Sequence, residues 1–289
     1  MAEHATESDK RQLRRPLGTD RVPVLPPGVP FLIQVLQDDD LDFREVARAI
    51  EHVPSIAARL LALANSAWSS PISPVMSLDA ACSRLGLRVV RTASIALAVS
   101  QPFNPARCPP FDGSTFWTSA LLNAEAASAL SEAVVRDQLS VARTAGLLSN
   151  LGLVWLAESL PAQTGEALRL AAGTAFGGLN DVLADQCGIG YDEAGALLAE
   201  AWNLPPVLRD AIAHQFHPRD DASPLCRVVS AAARMAGTLR HDQPWERPDE
   251  GLSAIGMEME QQLTVFDRLA DSKTRTADMA KVLFGKAAR

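Results

Sequence analysis

Two histidines, His214 and His217, stand three residues apart near the end of the helical pattern PPVLRDAIAHQFH. At i and i+3 they could share one helix face, with Asp192 or Glu193 approaching, a set that would hold a divalent metal weakly. Two exposed histidines near a helix end, just before Pro218, is the plainer reading. It is the reading adopted, so no metal and no other cofactor is expected. Arg84, Arg88 and Arg91 fall at i, i+4 and i+7 across a helix junction. They could form a ridge for a phosphate or a nucleotide ligand, because guanidinium suits bidentate contact; a solvated helix face is the alternative. Residues 145 to 156, AGLLSNLGLVWL, set a third question. Leu147, Leu148, Leu151, Val154 and Trp155 have the spacing of one buried helical face, yet Ser149 and Asn150 interrupt the run. If the polar pair is buried, it needs partners; otherwise it lies on the solvated side.

Other chemistry finds no local pattern. No G-x-S-x-G elbow occurs, and Cys82, Cys108, Cys187 and Cys226 are far apart with no C-x-x-C pair. They read as small buried hydrophobes. The glycines of GIGYDEAG follow no strand pattern, which argues against a dinucleotide loop.

The elements that must position these residues are helices. Hydrophobic residues make up 47% of the 289 and aromatics only 5%, with Ala and Leu dominating, which favours helix packed on helix: an all-α fold. Net charge is −7, so no direct nucleic-acid partner is expected, and no stretch of 18 uncharged apolar residues suggests a membrane. The N-terminus lacks the apolar region of a signal peptide, and a cytoplasmic location follows as the expectation. Lys10, Arg11, Arg14, Arg15 and Arg21 make residues 1–21 a basic tail, expected to be disordered.

Residues 22–100 carry helical stripes: Phe43, Val46, Ala47 and Ile50, then Ile56, Leu60, Leu63 and Ala64. Ser77 or Asp79 can cap the next helix, which Gly86 can close. Residues 101–113 hold four prolines and form a connection. A second helical lobe runs over 114–240, with QLSVARTAGLLSNLGLVWLAESL read as one helical pattern. Residues 241–289 return to helical periodicity as an extension, with caps at Ser253 and Thr276 and with Ile255, Met259, Leu263 and Phe266 set to dock on the second lobe. Whether the two lobes share a core is left open.

Several of these motifs, in order, resemble one family. LPP at 25–27, IEHVPSIAARLLALANSA at 50–67, SLDAACSRLGLRVVRTASIALA at 77–98, FWTSAL, AGLLSNLG and DEAGALLAEAWNLPPVLRDAI are similar to the HDOD domain, the HD-related output domain of bacterial signalling proteins. The resemblance covers roughly residues 22 to 240 and implies two packed helical lobes, the second HD-phosphohydrolase-like. In the HD superfamily a His-Asp metal-binding pair occupies the places held here by Ser149 and Asn150. Ser119 and Tyr191 stand where histidines are common, and only His214 and His217 lie near the expected histidines of the last helix.

The resemblance therefore implies a degenerate cleft among Ser119, Ser149, Asn150, Tyr191, Asp192 and Glu193, with no catalytic residue: a non-enzymatic regulatory module acting through other signalling proteins or a small ligand. A residual metal-dependent phosphohydrolase and a cyclic di-GMP sensor are the alternatives. Leu25, Pro26 and Pro27, with Trp68, are candidates for a partner surface, since proline rigidity lowers the ordering cost of binding; Trp68 could equally cap the first lobe.

Overall fold

Proline in the first turn starts helix after helix in this chain, its fixed φ suiting a position whose N–H needs no helical partner. The computed structural model describes residues 22–174 and 176–285. The basic cluster from Lys10 to Arg21 lies outside the described residues. Among the described residues there are helices and no strand: the fold is all-α.

The N-terminal helices are α1 (Val29–Leu36), α2 (Phe43–Glu51), α3 (Pro54–Ala64), α4 (Leu78–Leu85) and α5 (Leu87–Ser100). Asp42 starts α2 with a capping box: its carboxylate accepts from the Arg44 and Glu45 amides, and Glu45 accepts from the Asp42 amide. Ser77 caps α4, and Gly86, at φ 82°, turns the chain from α4 into α5. The connection that follows contains one short 3-10 turn, Pro105–Arg107.

Helix α6 (Gly113–Val134) is the long central element, packed against α7 (Leu139–Leu148), α13 (Pro224–Arg240) and α15 (Met259–Phe284). Between them run α8 (Leu151–Ser159), α9 (Pro161–Leu170), α10 (Gly178–Cys187), α11 (Tyr191–Ala201), α12 (Pro206–Ala213) and the short α14 (Glu250–Ser253). The run expected as one helix through AGLLSNLG is therefore two, α7 and α8, with Ser149 and Asn150 in the turn between them. Both turn residues keep near-helical dihedrals, so the apolar face continues across the break and Leu147, Leu148, Leu151, Val154 and Trp155 are all buried.

The stretch Arg136–Ser159 is long and apolar enough by composition to cross a membrane, but 78% of its apolar window is buried inside the fold and the turn divides it.

The two lobes share a core. The larger apolar cluster joins Ile50, Leu60 and Val90 to Trp117 and Leu121 of α6, Trp155 of α8 and Leu283 of α15. A second cluster fills the space between α6, α7, α13 and α15, with Leu130, Val229, Met235 and Phe266.

Helix α15 departs from expectation. Its cap is a Glu258–Gln261 box, not Ser253, which ends α14; Thr276 lies in mid-helix, buried, donating to Glu125 Oε2 at 3.0 Å. Phe266 is buried and the half-buried Ile255 and Met259 pack on the second cluster as expected, but Leu263 is 37% exposed. Nor does the helix dock on the second lobe alone. The Trp68 indole donates to the Arg275 carbonyl at 2.8 Å, Arg59 donates to the Leu283 carbonyl, and Phe284 stacks on Trp117 at 4.2 Å. One 26-residue helix thus spans both halves of the chain.

All four cysteines are buried, and burial pushes the Cys82 thiol up to about 11 and those of Cys108 and Cys187 upward. A thiolate-specific disulfide reagent is accordingly expected to leave the native protein unlabelled at neutral pH and to titrate four thiols in urea; rapid labelling of the native chain would contradict the burial.

Candidate functional site

The turn between α7 and α8 is held by three buried side chains. Gly146 lies so close to α6 that a Cβ there would meet the Asn123 carbonyl at 2.6 Å, and this approach brings the Asn123 side chain to Ser149. Asn123 Nδ2 donates to Ser149 Oγ at 3.0 Å, and Ser149 Oγ donates to the Gly146 carbonyl at 2.8 Å. Gln215, on the loop after α12, donates from Nε2 to the Ser149 carbonyl at 2.7 Å. Ser149 and Gln215 are 0% exposed, so the serine points inward and its bonds are structural. Asn150, half-buried, faces the other way, into a cleft.

That cleft, about 290 Å³, is lined by Ser119, Asn123, Asn150 and Tyr191, with Phe176 and Phe216 on one wall and Arg240 and His241 at another. The aromatic wall is continuous: Phe176 and Tyr191 each contact the Phe216 ring at 5.1 Å. Two glycines allow a close helix crossing beside Tyr191. Helices α8 and α11 cross at Gly152 and Gly195, where a Cβ on Gly152 would overlap the Tyr191 carbonyl and lie 2.6 Å from the Gly195 nitrogen. A larger cavity, about 550 Å³, lies elsewhere, between α3, α5, the proline-rich connection and the end of α15. Its walls are mostly apolar and aromatic, and it shares only Phe111 with the cleft.

The expected site residues divide. Ser119, Asn150 and Tyr191 come together on the cleft; Ser119 spends its hydroxyl on the Thr115 carbonyl at 2.9 Å. Asp192 and Glu193 do not join them. The Asp192 carboxylate accepts from the Glu193 amide and its own amide donates to Asn180, while Glu193 is exposed. His214 and His217 are not on one helix face, because α12 ends at Ala213 and both follow it, outside the cleft. Chain distance hid Asn123, Gln215, Phe176, Phe216 and Arg240 from sequence reasoning; only the buried pattern of α6 hinted at Asn123.

The other two expectations are corrected. Arg84 donates to Ser69 and to the Ser70 carbonyl, Arg91 is buried against Asp39 at 2.7 Å and the Leu41 carbonyl, and Arg88 is exposed; there is no common ridge. Leu25 is buried in the core, Pro26 is half-buried, only Pro27 is exposed, and the Trp68 face is covered by Arg275 at 4.6 Å. Leu25 and Trp68 therefore offer little to a partner.

The cleft suits a hydrogen-bonding occupant better than a metal. A hydrolytic centre needs several imidazole or carboxylate ligands converging on the ion, and here the lining carries one of each, His241 and Asp112, beside a serine, two amides and a phenol that burial pushes upward and keeps protonated. Among the described residues no group of three or more His, Cys, Asp and Glu side chains is placed to hold an ion.

Asp192 is likewise pushed up, first by burial. The folded protein then keeps a proton over a range in which the unfolded chain has lost it, so this stabilisation is full below the ordinary carboxylate value and is lost as pH rises through the raised one. Asp192→Asn is expected to gain thermal stability relative to wild type as pH rises above the ordinary carboxylate value, about 4; a difference that stays constant as pH rises would count against the shift.

The HDOD domain family model matches residues 22–218. An uncharacterized protein of Treponema pallidum (strain Nichols) is 25% identical over 252 residues, covering 84% of this chain and 48% of that protein. The chain spans about half the length of the curated relative it matches.

Among solved structures, a Marinobacter aquaeolei VT8 protein named for signal transduction superposes with a TM-score of 0.76 at 21% identity, over 98% of this chain and 62% of that one. A Shewanella amazonensis SB2B protein named as a phosphohydrolase gives 0.70 at 26% identity, over 94% and 97%. An HDOD domain protein from Geobacter sulfurreducens gives 0.70 at 21%, over 96% and 99%. With the motifs in order, the helices where the motifs require them and the match over 22–218, the chain belongs to the HDOD domain family.

Proposed function

We propose that this chain is a catalytically silent, cytoplasmic regulatory module of bacterial signal transduction, which acts through contacts with other signalling proteins. The observation that carries the reading is the inward Ser149. The residue standing where the HD superfamily places a metal-binding histidine spends its hydroxyl on Asn123 and Gly146, and Gln215 secures its backbone. A position used in this way holds the turn together and contributes no metal ligand to the cleft. Family membership supports the signalling half of the reading. Output through protein contact is supported by the surface: Ile72, Met76, Val24 and Phe31, the most exposed large apolar side chains among the described residues, all belong to the N-terminal half.

The test is a turnover assay of the full chain with a chromogenic phosphodiester across a series of divalent metals. No saturable turnover is expected. Metal-dependent turnover abolished by Asn150→Ala or His214→Ala would overturn the proposal in favour of a residual phosphohydrolase.

A further inference from the structure

A further cleft, about 320 Å³, shares no lining residue with the first and is walled by residues of α5, α6, α7 and α15. Arg88, Arg143 and Arg275 line it, one from each of α5, α7 and α15, against a single carboxylate, Glu125. In a chain of net charge −7, this is a local concentration of positive charge.

Two of its polar groups are unsatisfied. Arg143 is only 6% exposed, yet its Nε has no hydrogen-bond partner, and its one counter-charge, Asp39, stands 3.7 Å away and is already engaged by Arg91 at 2.7 Å. Ser128, 1% exposed and on the same lining, has a hydroxyl with no partner. Buried donors left unpaired are costly, and both belong to residues on the lining of one space that already gathers guanidinium groups. Burial and the neighbouring Arg88 and Arg91 weaken the hold of Arg143 on its proton, while Asp39 acts the other way. An anion beside Arg143 would relieve that unfavourable setting.

We propose that this cleft is a binding site for a small phosphate-bearing anion, with Arg88, Arg143 and Arg275 as its cationic walls and the Ser128 hydroxyl as a donor from its floor. The volume fits a phosphorylated small molecule up to about the size of a mononucleotide and falls at the low end for ligand pockets. Phosphate suits the arrangement because planar guanidinium forks meet its oxygens in pairs. Glu125, whose Oε2 accepts from Thr276, gives the cleft an acceptor for an N–H or O–H on the rest of the ligand. The site is separate from the Ser149 turn, and the proposal stands whether or not the first cleft is catalytically silent.

Titration calorimetry of the full chain with inorganic phosphate, pyrophosphate and guanosine monophosphate tests it. Pyrophosphate is expected to bind at one equivalent and more tightly than phosphate, with affinity falling as salt is added. Arg88→Ala, an exposed position that leaves folding intact, and Ser128→Ala are each expected to weaken binding about tenfold. Arg143→Met should abolish it, with circular dichroism checking that the variant folds. No saturation with any of the three probes, or affinities unchanged in both Arg88→Ala and Ser128→Ala, would overturn the proposal.

Discussion

Ending the chain before α15, at Gly256, is expected to lower the thermal midpoint by more than about 10 °C or to leave a protein that precipitates. The helix buries Val265, Phe266, Leu269, Met279 and Leu283, and at about 1.5–3 kcal/mol each their gross contribution rivals the whole net stability of a domain, about 5–15 kcal/mol. Entropy released by freeing the helix offsets part of that loss. What it does not offset is the surface uncovered on the body: the Trp117 ring loses its stacked Phe284, and the Trp68 indole loses its acceptor. The helix lies beyond residues 22–218, the part that matches the family, so the matched segment in this protein relies on chain outside it. Differential scanning calorimetry of the two forms checks this, and a truncated protein melting cooperatively at the wild-type temperature would make α15 an appendage.

Gly152→Ala is the point substitution expected to cost most, about 3 kcal/mol. A methyl there meets the Tyr191 carbonyl and the Gly195 amide, which are backbone atoms of α11 and cannot rotate away, so α8 and α11 must move apart. Gly195→Ala supplies the contrast. Its Cβ would meet the Ile212 Cγ2 at 2.9 Å, a single methyl on a stiff β-branched side chain, with no backbone atom closer than 3.5 Å, so a smaller shift suffices and about 2 kcal/mol is expected. Urea unfolding measures both, with the difference read at constant slope. Equal midpoints for the two variants would mean that the α8–α11 crossing tolerates separation. Because Tyr191 lines the cleft from the first turn of α11, a widened crossing should also loosen that wall.

Periodicity made much of the fold legible. The stripe Ile56, Leu60, Leu63 and Ala64 is buried throughout, as are Val46, Ala47 and Ile50, while Phe43, assigned to the same face, stays 43% exposed at the helix start. The break at Ser149 is not legible, because no proline and no left-handed glycine stands at it, Gly146 and Gly152 beside it both lying within helices, and near-helical dihedrals let the apolar face pass straight through. The arginine ridge failed for a local reason: Gly86 turns the chain between Arg84 and Arg88, so helical spacing cannot be carried across it, and Arg91 is drawn inward by Asp39. Of the site, the family resemblance located Ser119, Asn150 and Tyr191. The partners of Ser149 lie 26 and 66 residues away, and only the packing of α6 and the loop after α12 brings them in.

The inward serine also bears on evolutionary reversibility. An imidazole at position 149 would need room where nothing is exposed, would take the acceptor from the Asn123 amide, and would have to swing outward to meet a metal. Asn123 would have to change along with it, since its buried amide would otherwise be left unpaired, whereas Gln215 holds the backbone carbonyl and would keep its bond. The hydrogen-bonded turn therefore works as a ratchet in favour of serine: a mutational path to a histidine-aspartate pair at 149 and 150 would cross a valley of poorly folded sequences.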